Sequence, residues 1–165
     1  MRIRTAVCGA AALVAVVAGC GVRPTGVIDA GESATGAAKG LRLYFVTENG
    51  QLKGVSRPEA EVSLDGALKL LGSGPEPGVA AEAGLRTLVR DVREARGTGD
   101  RVTVHSLYDL SGERERLARE QLVCTLARAQ AVLAPKVRAN DVQVTLKVTD
   151  EGDRGPFRCS LFLEG

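Results

Sequence analysis

Cys20 is the residue whose surroundings point most directly to chemistry. It follows Val17, Ala18 and Gly19, and an uncharged apolar run from Ala6 to Ala18 leads up to it behind Arg2 and Arg4. A charged start, an apolar stretch and a small-residue cleavage site together make a secretory signal. A cysteine directly after the small pair is what the lipoprotein form of that signal needs. The thiol takes a diacylglycerol, the signal is cut before it, and the lipid holds the chain on the membrane. The apolar run, about 13 residues, is shorter than the ~20 that span a bilayer. Cys20 is therefore the expected lipidation site. Residues 1–19 are the expected signal peptide, and the bilayer is the expected first partner, on the outer face of the cell membrane.

The other reactive side chains sort by elimination. Cys8 lies in the signal, which leaves Cys124 and Cys159 as the two thiols of the mature domain. The compartment is one where disulfides persist, so these two are expected to pair. One histidine, His105, and no Cys-x-x-Cys pattern leave zinc without a ligand set. His105 is next to Ser106 and near Asp109, but neighbouring strand residues face opposite ways, so these three do not converge as a triad. Gly72, Ser73 and Gly74 lack the following Lys and Ser/Thr of a phosphate-binding loop and read as a helix stop. Asp150, Glu151 and Asp153 lack the spacing of a calcium loop and read as a polar turn. The charged run from Glu113 to Glu120 reads as a solvated helix face. No catalytic residue, cofactor or metal is expected.

Charge narrows the partners. The chain has 22 Lys+Arg and 20 Asp+Glu, and Arg2 and Arg4 leave with the signal, so the mature protein is balanced. A balanced chain has no broad pull toward nucleic acid, whose binding rests on neutralising phosphates. Aromatic residues are 3% with no Trp, which removes the stacking platforms of single-strand binders. Protein partners in the envelope are the expected kind.

These residues need elements to position them. Residues 20–39 are small, polar and Gly-rich, and read as a flexible tether with a typical reach near 25 Å. A domain follows over 40–165. Alternation predicts strands over 41–47 and 52–57 around Asn49 and Gly50, a strong hairpin pair. Ser63 is placed to cap a helix carrying Leu64, Leu68 and Leu71. Gly74 and Pro75 end that helix, and a loop is expected from Pro75 to Gly78. Residues 79–96 fit either a helix or, slightly better, a strand over 88–95 paired with 101–108. Ser111 is placed to cap a long helix from about Glu113 to Leu133, with Ala118, Leu122, Leu126, Ala129 and Leu133 as its apolar stripe. Strands are expected at 142–148 and 156–163. The pattern predicts an α+β fold with a mixed or antiparallel sheet and two main helices packed on one face.

Several segments together resemble the GerMN domain of Gram-positive sporulation and germination proteins. Leu43, Tyr44, Phe45 and Val46 look like its opening strand, and the helix from Ala67 into Gly74 and Pro75 looks like its Leu-Leu-x-Gly-Pro ending. Gly84 and Leu85 match the Gly-Leu that follows. Tyr108, Asp109, Leu110 and Ser111 look like its Val-Asp-Leu-Ser. Gln121, Leu122, Val123, Cys124, Thr125 and Leu126 look like its Gln-Leu-Val-Tyr-Thr-Leu. Order and spacing agree over about 41–149. Gly72 stands where the family has a second Leu, Cys124 where it has Tyr, and 86–96 lacks the family's Pro-rich turn. The resemblance implies a fold in which Gly74, Pro75, Asp109, Leu110, Ser111, Gln121, Thr125 and Leu126 are structural. It also implies a non-catalytic module that meets other proteins in cell-envelope or sporulation-related processes. Binding of a small ligand or cell-wall fragment is the alternative.

Overall fold

A computed structural model describes residues 40–160, apart from Glu59. The expected signal peptide, the tether and Cys20 lie outside the described residues. The chain opens with β1 (Leu41–Val46) and β2 (Leu52–Arg57), an antiparallel two-stranded sheet. Period-two alternation places Leu41, Leu43 and Phe45 on one face, and all three are fully buried. Helix α1 (Leu64–Ser73) starts as expected, with the Ser63 hydroxyl accepting the Gly66 N–H at 3.0 Å. It ends at Gly74, whose φ of +82° is a conformation that a side chain would strain. The loop expected from Pro75 begins instead a short helix, α2 (Pro77–Ala83). Proline is at home there, because its φ suits the first turn and its missing N–H would have been unpaired anyway.

The ambiguous stretch resolves toward the hairpin. After Gly84 the chain is extended, and Val46 and Arg86 exchange two backbone hydrogen bonds of 3.0 and 2.9 Å. Strand β3 (Val92–Thr98) then pairs antiparallel with β4 (Arg101–Ser106) through Gly99 and Asp100. Helix α3 (Arg116–Leu133) crosses over to β5 (Gln143–Val148), which lies parallel to β4. Strand β6 (Gly152–Phe157) returns antiparallel beside β5, giving the order β3-β4-β5-β6. The class is α+β, with the six strands divided between two sheets. In the larger sheet Ala95, Val102, Val104, Val144 and Leu146 face inward and are buried. Helix α1 packs on β3 and α3 on β4 and β5 from that inward side, and β1 covers α3 in turn.

Three expectations are corrected. Helix α3 begins at Arg116 rather than near Glu113, and Ser111 does not cap it. The Ser111 hydroxyl is taken by Asp109 at 2.7 Å, too far back in the chain to reach the first turn. Leu133, expected in the buried stripe, is 47% exposed at the helix's last position. The last strand runs from Gly152 to Phe157 rather than over 156–163. Asp150 and Gly152, at φ of +65° and +86°, turn the chain immediately after β5, so pairing starts at once. Residues 161–165 lie outside the described residues.

Candidate functional site

The residues behind the resemblance gather around α3. Gln121 is fully buried, and its Oε1 accepts the Leu88 N–H at 2.8 Å. Its Nε2 donates to the Arg86 carbonyl at 3.4 Å. One side-chain amide thus pairs the Leu88 N–H and adds a second donor to the Arg86 carbonyl, which already accepts the Val46 N–H. Thr125, also fully buried, accepts the Tyr44 N–H at 3.0 Å, so α3 closes the edge of β1 that β2 does not cover. Leu110 and Leu126 are fully buried beside them. The backbone that Gln121 bonds is more than thirty residues earlier in the chain.

Asp109 and Ser111 form a compact turn. The Asp109 carboxylate accepts both the Ser111 hydroxyl and its N–H at 2.7 Å, and Arg154 reaches it at 3.4 Å. The Ser111 hydroxyl, the Ser111 N–H and the Arg154 charge hold the Asp109 carboxyl below its ordinary value, against the opposing effect of burial. Gly74 and Pro75 are helix-ending residues outside this cluster.

The charged run is not a solvated face throughout. Arg119 and Glu120 are 8% and 4% exposed. Arg119 donates to the carbonyls of Leu110 and Gly112 and lies 5.2 Å from the Phe157 ring centroid. Glu120 pairs with Arg116 one turn back. The polar ends of the run fasten the 110–112 loop and β6 to α3. Near the other end of α3, Gln130 donates to the Gly99 carbonyl at 2.8 Å and lies against Gly97, where a Cβ would have no room. Gly97 reads in the sequence as part of a turn with Gly99 and Asp100, but it lies inside β3, where a glycine marks such a close approach. Nothing in the sequence pointed to Asp65, whose carboxylate accepts the Ala95 N–H at 3.0 Å. The Cys124 and Cys159 sulfurs stand at disulfide distance, 2.15 Å, with Cα atoms 4.6 Å apart. Cys159 meets α3 from just past the end of β6 rather than from within a strand.

His105 and Ser106 diverge as their strand positions require. His105 is exposed, while Ser106 is buried and donates to the Tyr108 carbonyl at 2.8 Å. Asp109 is committed to Ser111. These three residues therefore do not share a reacting centre. No family model matches this chain, and neither does a curated protein or a solved structure. Function must therefore be argued from this molecule's own surfaces. One of these is the polar outward face of the larger sheet. Arg101, Thr103, Gln143, Thr145, Lys147 and Asp153 line a shallow concavity there of about 350 Å3. Parallel register sets Arg101 beside Gln143 and Thr103 beside Thr145. Lys147 pairs with Asp153 at 3.1 Å.

Proposed function

We propose that this chain is a lipoprotein held by acylated Cys20 on the outer face of the cell membrane. Its GerMN-like domain is a non-catalytic module that binds other envelope proteins in cell-envelope or sporulation-related processes. The observation that carries this reading is how the motif side chains are used. Gln121, Thr125, Asp109 and Ser111 all spend their polar atoms on hydrogen bonds that join elements or tighten a turn. Residues used this way hold a shape, and a held shape with a polar outer surface suits contact with another protein. The anchor rests on the run from Val17 to Cys20.

Two measurements test the reading. Cys20→Ser should release the protein from the membrane fraction or leave the precursor uncut. A variant that sediments and matures like wild type refutes the anchor. Photo-crosslinkers at Thr103 or Thr145 should capture a defined envelope protein in living cells. Capture of none, from these or any other surface position, refutes the module. The polar concavity favours one second reading, a site for a small anionic cell-wall fragment held by Arg101 and its threonine neighbours. Saturable binding of such a fragment, lost in Arg101→Ala, would select it.

A further inference from the structure

Three of the four sheet edges carry a bond or an irregularity that blunts them. At β1, Tyr44 donates to Thr125 and Val46 exchanges bonds with Arg86. At β3, the Ala95 N–H is taken by Asp65. At β6, Pro156 lacks a donor and the register shifts between Val144 and Leu146, two ordinary ways to blunt an edge. Strand β2 carries no such bond and no register shift among the described residues. Since Tyr44 and Val46 turn their backbone groups away from β2, the residues of β1 that bond it are Leu41, Leu43 and Phe45. Their partners are Arg57, Val55 and Lys53. Backbone groups alternate sides along a strand, so Leu52, Gly54 and Ser56 present theirs outward. No hydrogen bond among the described residues ends on their N–H groups.

Two positive charges flank this edge. Lys53 is exposed and has no ionic partner among the described residues. Arg42 lies over Gly54, in the space a side chain there would fill, 5.9 Å from the Tyr44 ring centroid. Its Nε is buried without a hydrogen-bond partner, and it too has no ionic partner among the described residues. Arg42 shares one face with Gly54, and Lys53 stands on the other. A strand laid along β2 would therefore set two successive side chains near two cations, one on each face.

We propose that β2 takes an extended acidic segment of a partner protein as a third strand, with consecutive carboxylates beside Arg42 and Lys53. Main-chain bonds at Leu52, Gly54 and Ser56 give adhesion, and the charges give selection. A second copy of β2 fits less well, because a two-fold axis at Gly54 would bring two Arg42 side chains together. This inference rests on the interaction-module reading and names the partner's chemistry.

The test uses residues 20–165 carrying Cys20→Ser. The probes are a synthetic Thr/Val strand peptide with a central Glu-Glu pair and its Lys-Lys counterpart, followed by amide hydrogen exchange. The acidic peptide should slow exchange at Leu52, Gly54 and Ser56, and the basic one should not. Ser56→Pro, which removes an outward donor, should abolish binding. Lys53→Glu, at an exposed position, should weaken it roughly fivefold and serves should the proline variant fail to fold. Equal binding of the basic peptide, protection at another edge, or no protection overturns the proposal. So does protection that rises with protein concentration in the absence of peptide, which would reveal self-pairing. Cellular crosslinks confined to the outward face of the larger sheet would overturn it while leaving the module reading intact. Absence of any cellular partner would overturn both.

Discussion

Gln121 shows how one side chain can stand in for a missing strand. Its amide serves the Leu88 N–H and the Arg86 carbonyl inside the protein, where an unpaired polar group costs about 1–3 kcal/mol. Gln121→Leu keeps the bulk and leaves the Leu88 N–H without its partner, so it should lower unfolding free energy by about 2 kcal/mol, read by urea denaturation. A loss within error of zero would show that water replaces the amide. Asp109 gives a pH signature instead. Its folded-state carboxyl sits below the ordinary value, so the folded chain favours the ionised form. That contribution is complete above the usual carboxylate range and is lost as pH falls through it toward the depressed folded value. In Asp109→Asn the acid-side fall of the thermal midpoint should be shallower than in wild type. Identical acid limbs would refute the assignment.

At the scale of elements, β3 and α3 meet at Gly97. A Cβ there would collide with Gln130 and stand 2.9 Å from Leu64 Cδ1. Gly97→Ala should destabilise by about 1–3 kcal/mol, and Gln130→Ala in the same chain should recover part of it. Additive losses in that double-mutant cycle would show that the two residues do not press on each other. The elements themselves were mostly legible. Ser63, Gly74, the Asn49–Gly50 pair and the alternation of 142–148 all encode local geometry, and local geometry is what a sequence states directly. The misreadings share a cause. Ser111 is a good cap by type, but Asp109 was the nearer partner. Pro77 reads as a breaker, yet it is tolerated in the first turn of a helix. The charged run looked solvated because periodicity does not reveal that the 110–112 loop folds back over Arg119. The open edge of β2 was invisible for the same reason, since strand pairing is a long-range fact.

At the scale of the molecule, Cys124 and Cys159 connect the middle of α3 to the chain just past β6, 35 residues later. A bridge closing that loop is worth roughly 3–4 kcal/mol on the chain-entropy estimate. Mass spectrometry of the unreduced protein should show the two-hydrogen deficit, and reduction should lower the denaturation midpoint. Free thiols that both alkylate after unfolding would refute the bridge. The bond from Tyr44 to Thr125 spans 81 residues and has a different consequence. A ribosome delivers β1 and β2 long before it delivers α3. Until Thr125 emerges, the hairpin has only α1 against part of its apolar face, and a lone two-stranded hairpin is marginal in water. The first third of the domain is thus made early and completed late, and part of the apolar face of β1 waits for its cover until α3 is made.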